Sequence, residues 1–88
     1  MKTFRKQPRD HLDYDIDLSG WLNTGDVITA IEVAAPGGID VTSTSFTDTE
    51  AKLWIDNGTS GQSYKFSVLF TTTSRQKEVD FLMVVQEL

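Results

Sequence analysis

The side chains that could do chemistry are few, and their spacing does not suit it. The chain has one histidine, His11, and no cysteine, so thiolate nucleophiles, disulfides and thiolate metal sites are excluded. A catalytic imidazole needs a nucleophile or an orienting partner, and His11 lies in a polar stretch that offers neither. It reads as a solvated side chain. Asp10, Asp13, Asp15 and Asp17 carry the hard oxygens that calcium prefers, but a calcium loop curls its ligands around a glycine turn. Asp13, Asp15 and Asp17 instead alternate with Tyr14 and Ile16, which sets them about 6 to 7 Å apart along one face of a strand. That is a solvated strand face, with a partner's basic patch or a weak ion site as the alternatives. Gly37-Gly38 lacks the Lys-Ser/Thr and helix of a phosphate loop. Asn57-Gly58-Thr59 matches a glycosylation acceptor, but the charges of Met1 to Asp10 do not form a signal peptide, so it reads as a turn. Trp54, Tyr64 and Lys65 could form a sugar-binding platform, although aromatics more often serve cores and interfaces. No catalytic residue, cofactor site or metal site is assigned.

The elements that carry these residues have a period close to two. Tyr14, Ile16 and Leu18 alternate with Asp15, Asp17 and Ser19, a half-buried strand. Gly20 to Asp26 is rich in turn formers, with Trp21 and Leu22 able to fold back on the core. In the strand Val27 to Ala34, the set Val27, Thr29, Ile31 and Val33 is expected to face the core. Pro36-Gly37-Gly38 stops it. Ile39 and Val41, with the Thr/Ser-rich run to Thr49, read as an edge strand. Ala51, Leu53 and Ile55 face the core in the next, which places Trp54 on the outer face and ends at Asn57-Gly58. Tyr64, Phe66, Val68, Phe70 and Thr72 form a long apolar face. Val79, Phe81, Met83 and Val85 form the last, which is apolar on both sides and therefore central or covered. Nothing reads as a helix. Six or seven short strands predict an all-β, immunoglobulin-like antiparallel β-sandwich, with a small closed barrel as the alternative.

Eighty-eight residues hold one core, with an expected stability of about 4 to 13 kcal/mol. No stretch has the ~18 to 20 consecutive apolar residues of a membrane span. The net charge of −5 argues against a nucleic-acid face, which must be basic. The charge is uneven: Lys2, Arg5, Lys6 and Arg9 hold half of the eight basic residues, and the other 79 residues carry a net −9. Residues 1–12 therefore read as a charged N-terminal arm and 13–88 as a single sandwich domain. The arm either ties to its own acidic body or docks an acidic neighbour.

Several segments taken in order carry a resemblance: Lys6, Leu12-Asp13-Tyr14-Asp15-Ile16-Asp17, Trp21-Leu22, Gly25-Asp26-Val27-Ile28, Gly38-Ile39, Leu53-Trp54-Ile55, Gly58, Gly61, Tyr64, Thr71-Thr72-Thr73, Arg75 and Glu78. This progression resembles the small immunoglobulin-like proteins encoded among tail and head-completion genes of tailed bacteriophages, the fibre-tail adaptor proteins. Members usually carry a glycine pair at Asn57-Gly58 and a Gly-Arg turn at Ser74-Arg75. The resemblance implies a non-enzymatic virion structural protein, assembled in the host bacterial cytoplasm, that joins a fibre or tail component to the tail or neck in multiple symmetric copies. Its expected partners are other virion proteins, with no nucleic acid and no membrane. Candidate partner-binding residues are Lys2, Arg5, Lys6, Arg9, Trp21 and Trp54. The alternative is a carbohydrate- or host-surface-binding module displayed on the virion as a decoration protein.

Overall fold

The computed structural model describes residues 2–87. Seven strands make up its regular structure: β1 (Lys2–Lys6), β2 (Leu12–Asp17), β3 (Ile28–Ala34), β4 (Ile39–Phe46), β5 (Glu50–Asn57), β6 (Gln62–Thr72) and β7 (Gln76–Val85). They form a four-stranded sheet, β1-β7-β6-β3, and a three-stranded sheet, β2-β5-β4. The inward residues of the two sheets make one core. Phe66, Val68 and Phe70 of β6, Phe81, Met83 and Val85 of β7, and Ala51, Leu53 and Ile55 of β5 are fully or almost fully buried, as the period of two requires. The rings of Phe66 and Phe81 stack at 4.9 Å. Trp54 lies outward, β4 is an edge, and β7 is central between β1 and β6.

The structure corrects two expectations. First, Lys2–Lys6 of the expected arm is a strand, and it pairs parallel to β7 in a sandwich expected to be antiparallel throughout. The chain turns after Lys6 and crosses to the other sheet as β2, so β1 meets β7 by tertiary contact and no hairpin sets its direction. Phe4 then packs edge-on against both Tyr14 and Phe81, at 5.2 and 5.3 Å, which closes the seam between β1 and β2. Second, the inward residue at the start of β3 is Ile28, which is buried, rather than Val27 and Thr29. The register shifts between Ile28 and Ala30, so Thr29 is the extra residue of a bulge and the parity of the strand changes there. Asn57-Gly58 ends β5 where the chain crosses to the other sheet, since β5 and β6 lie in different sheets. Asn57 and Gly58 have φ of 67° and 97°, the left-handed conformation that Asn tolerates and Gly adopts without strain.

The turn at Ser74-Arg75 needs no glycine. Asn57 is the one non-glycine residue with positive φ among the described residues. The Thr72 hydroxyl accepts the Arg75 N–H at 3.0 Å, and the Arg75 carbonyl accepts the Thr72 N–H at 2.8 Å. Threonine closes the β6–β7 hairpin with its side chain as well as its backbone.

Candidate docking surfaces

The six candidate residues fall in three places. Lys2 and Trp21 come together at one end of the sandwich. β2 ends at Asp17, and its Oδ1 accepts the Ser19 N–H at 2.8 Å. The chain then coils, with the Trp21 and Leu22 N–H groups donating to the Leu18 carbonyl at 2.9 and 3.0 Å. Leu18 is buried, which anchors the coil, and Trp21 is laid half-buried against the core. Arg75 and Lys77, reached through the β6–β7 turn, set their cations over the indole at 4.0 and 5.2 Å from the ring centroid. An aromatic face attracts such cations. Arg75 also donates to the Trp21 carbonyl and to Asp26 Oδ2, both at 3.3 Å.

Beside Trp21 opens a cavity of about 410 Å³. Phe4, Ile16, Leu18, Val79 and Phe81 line it together with the indole, and Lys2, Lys77 and Asp17 form its charged rim. The Lys2 ammonium stands 5.0 Å from the centroid of the Phe4 ring. Apolar walls with a few charged groups at the mouth can take an apolar side chain carried on an acidic segment.

Arg5, Lys6 and Arg9 lie at the opposite end. Lys6 is only 3 % exposed, and its ammonium donates to the carbonyls of Gln7, Pro8 and Asn57 at 2.7, 3.3 and 2.5 Å. Three acceptors saturate an ammonium. Burial lowers its pKa below the usual lysine value, against the opposing pull of Asp10, Asp56 and Tyr64. Lys6, expected among the residues that meet a neighbour, is instead committed inside the chain because the turn that follows β1 folds its carbonyls over the side chain. The turn is closed by the Asp10 N–H donating to the Gln7 carbonyl and the Gln7 N–H donating to Asp10 Oδ2, at 3.1 and 3.0 Å. It leaves Arg5 and Arg9 exposed.

Trp54 occupies the third place, the outer face of the three-stranded sheet. Asp13 is its cross-strand neighbour on β2 and Ser43 on β4. The His11 ring meets the indole edge-on at 5.6 Å, and its Nε2 lies 2.8 Å from the Thr42 hydroxyl, Thr42 being the bulged residue of β4. Lys52 bridges Asp13 and Asp15 at 2.9 and 3.8 Å. The hydrogen bond lowers the pKa of Asp13 and raises that of Lys52. The carboxylates of Asp13, Asp15, Asp17, Asp40, Glu50 and Asp56 share this face with Lys52, which makes it acidic. The imagined sugar platform is not assembled: Trp54 lies on β5, Lys65 is on the outer face of the other sheet, and Tyr64 turns inward, where its hydroxyl accepts the Thr59 N–H at 2.8 Å.

Sequence reasoning missed Phe4, Arg75 and Lys77 as neighbours of Trp21 and Lys2. The contacts of Arg75 and Lys77 with Trp21 span more than fifty residues, and only the topology brings them together. The one available signal was the alternation of Phe4 with Thr3 and Arg5, which is strand-like but too short to stand out against the charge.

The geometry thus offers an acidic sheet face, a basic end and an apolar cavity with a mainly basic rim, arrangements suited to holding other proteins. Comparison with curated proteins finds no match. The family model Gp77, described as podophage GP4 fiber-tail adaptor protein gp77, matches residues 6–85, nearly the whole chain and all of the strands from β2 to β7. The chain belongs to this family of phage fibre-tail adaptors.

Proposed function

We propose that the chain is a non-enzymatic structural component of the virion that joins a fibre or tail component to the tail or neck through protein–protein contacts, in several symmetric copies assembled in the host cytoplasm. The observation that carries this reading is the separation of charge on a small rigid sandwich. Arg5 and Arg9 project from the β1 end of a chain with net charge −5, while the acidic residues concentrate on the outer face of the three-stranded sheet. Such complementary patches give orientation and partner choice more than raw affinity, as a joint between fixed neighbours requires. The experiment is Arg5→Ser with Arg9→Ser, both exposed and away from the core, introduced by complementation into phage. The fold and melting temperature should stay close to wild type while incorporation into purified particles falls, and moderate salt should mimic the variant because exposed attraction is screened within about 10 Å at 0.1 M ionic strength. Wild-type amounts of the double variant in the virion would refute the docking role of this end.

A further inference from the structure

The described residues expose two large hydrophobic side chains, Leu12 and Phe46, at 47 and 42 %. Phe46 has an unusual position. It pairs across the ladder with Ala51, which is completely buried, so it belongs to the inward face of β4 yet remains uncovered at the edge of the sandwich. One acidic residue, Asp48, follows it in the β4–β5 turn, while Glu50 opens β5 on the outer face. The segment therefore offers an apolar ring beside negative charge, the chemistry that the Trp21 cavity is built to take.

We propose that the Trp21 cavity receives Phe46 of a second copy of this chain, with Asp48 of that copy facing Lys2 and Lys77. The proposal rests on the adaptor reading only for the expectation of several copies. Three observations define the occupant. The cavity, at about 410 Å³, exceeds one aromatic side chain, so it holds a ring and part of its backbone. The rim cations Lys2 and Lys77 outnumber the one rim acid, Asp17, and are opposite in sign to Asp48, whereas Arg75 is already paired with Asp26 at 3.3 Å. Finally, the two surfaces lie at the same end of the sandwich but on opposite flanks. The β4–β5 turn is tied to that end by the Leu18 N–H donating to the Thr49 carbonyl and the Ile28 N–H donating to the Asp48 carbonyl, at 2.8 and 2.9 Å. β4 is the edge away from β2, while the cavity opens where β1 overlies β2. A chain cannot fill its own cavity, but a neighbour standing beside it with parallel strands can. Each copy then uses one surface of each kind, a heterologous contact that can repeat around a closed set.

The absence of cysteine makes the test clean. Thr49→Cys and Gly20→Cys, which leave Asp48, Lys2 and Lys77 in place, are introduced together and singly, folding is verified by melting, and a short bis-maleimide is added to concentrated protein and to purified particles. The double variant should give a ladder of covalent multimers, while each single variant gives none beyond background dimer. Independently, Phe46→Ala should weaken concentration-dependent sedimentation by roughly tenfold or more, as expected when a central anchor is truncated. Monomers from the folded double variant in both settings, or Phe46→Ala sedimenting as wild type, overturn the contact. Particles that contain the chain without a ladder leave the adaptor reading intact; particles that lack the chain overturn that reading, and the ladder in solution still decides the contact.

Discussion

Lys2 and Lys6 stand four residues apart on the same face of the same strand, and the two ends of β1 have made opposite use of them. At the Lys6 end, the following turn and the Asn57 carbonyl enclose the ammonium. At the Lys2 end, the ammonium remains exposed over Phe4 at the mouth of an apolar cavity. The same residue type on one face therefore serves as an internal clasp where backbone carbonyls converge and as surface charge where aromatic rings do. What differs is the density of buried neighbours: Gly58, Ile39, Tyr64 and Val85 crowd the region around the Lys6 clasp, whereas Trp21 only half covers its end.

The largest break in this comparison is expected at Gly58. A Cβ there would lie 2.8 Å from Val85 Cγ2 and within 3.5 Å of Ile39 and Tyr64, at a φ of +97°. Both the overpacking and the left-handed backbone oppose any side chain. Gly58→Ala should cost about 2 to 4 kcal/mol, read as a lower denaturation midpoint at unchanged slope. Gly20→Ala, at the loose end where a Cβ would meet nothing within 4 Å, should change the midpoint little. Equal effects at the two positions would mean that the ends do not differ in packing.

The lysines give a smaller and more direct contrast. Lys6→Ala strands three carbonyls and should cost about 1 to 3 kcal/mol, while Lys2→Ala should fall within about 0.5 kcal/mol of wild type, as exposed substitutions generally do. Thermal melts of the two variants side by side test this. A mild Lys6→Ala would show that water replaces the ammonium without loss.

This contrast also explains what could be read from the sequence. The faces of β5, β6 and β7 were legible because Leu53 and Ile55, Phe66 to Phe70, and Phe81 to Val85 alternate without interruption, and period two maps straight onto burial. At β3 the reading slipped at Thr29, where a bulge changes parity and leaves no mark in composition. β1 was hidden by its own charge: three of its five residues are cationic, and a strand held by Phe4 and a saturated lysine lacks the usual apolar alternation. The candidate site was half legible. Lys2 and Trp21 were named, but as separate residues, since the cavity that joins them depends on Lys77 and Val79 arriving from the far end of the chain. Lys6 was named for the wrong reason, because solvation of a lysine cannot be told from burial without the carbonyls that decide it.

The smallest effect belongs to acid. Asp13, Asp17 and Asp80 are all held below the usual carboxylate pKa of 3.8: Asp13 by its hydrogen bond from Lys52, Asp17 by the Ser19 N–H, and Asp80 by the Ser67 hydroxyl. A carboxylate with a lower pKa in the folded state binds fewer protons there than in the unfolded chain over the interval between the two values, so stability rises with pH across it. The contribution is complete above 3.8 and disappears as pH falls through the folded values. Asp17 is exposed and Asp13 and Asp80 are only partly covered, so solvent screens each pair and the slope should be shallow. Asp13 and Asp17 belong to the acidic three-stranded sheet and Asp80 to the other, which lets the two sheets be compared. Asp80→Asn should flatten the acid limb of a stability-versus-pH curve by about as much as Asp17→Asn, since each loses one hydrogen-bonded carboxylate. Asp13→Asn should flatten it too, and it also leaves Lys52 to Asp15, 3.8 Å away, so part of its effect should return through that pair. Chemical denaturation at a series of pH values between the acid limit and neutrality reads all three. An acid limb unchanged in every variant would mean that these hydrogen bonds do not distinguish the folded from the unfolded carboxylates.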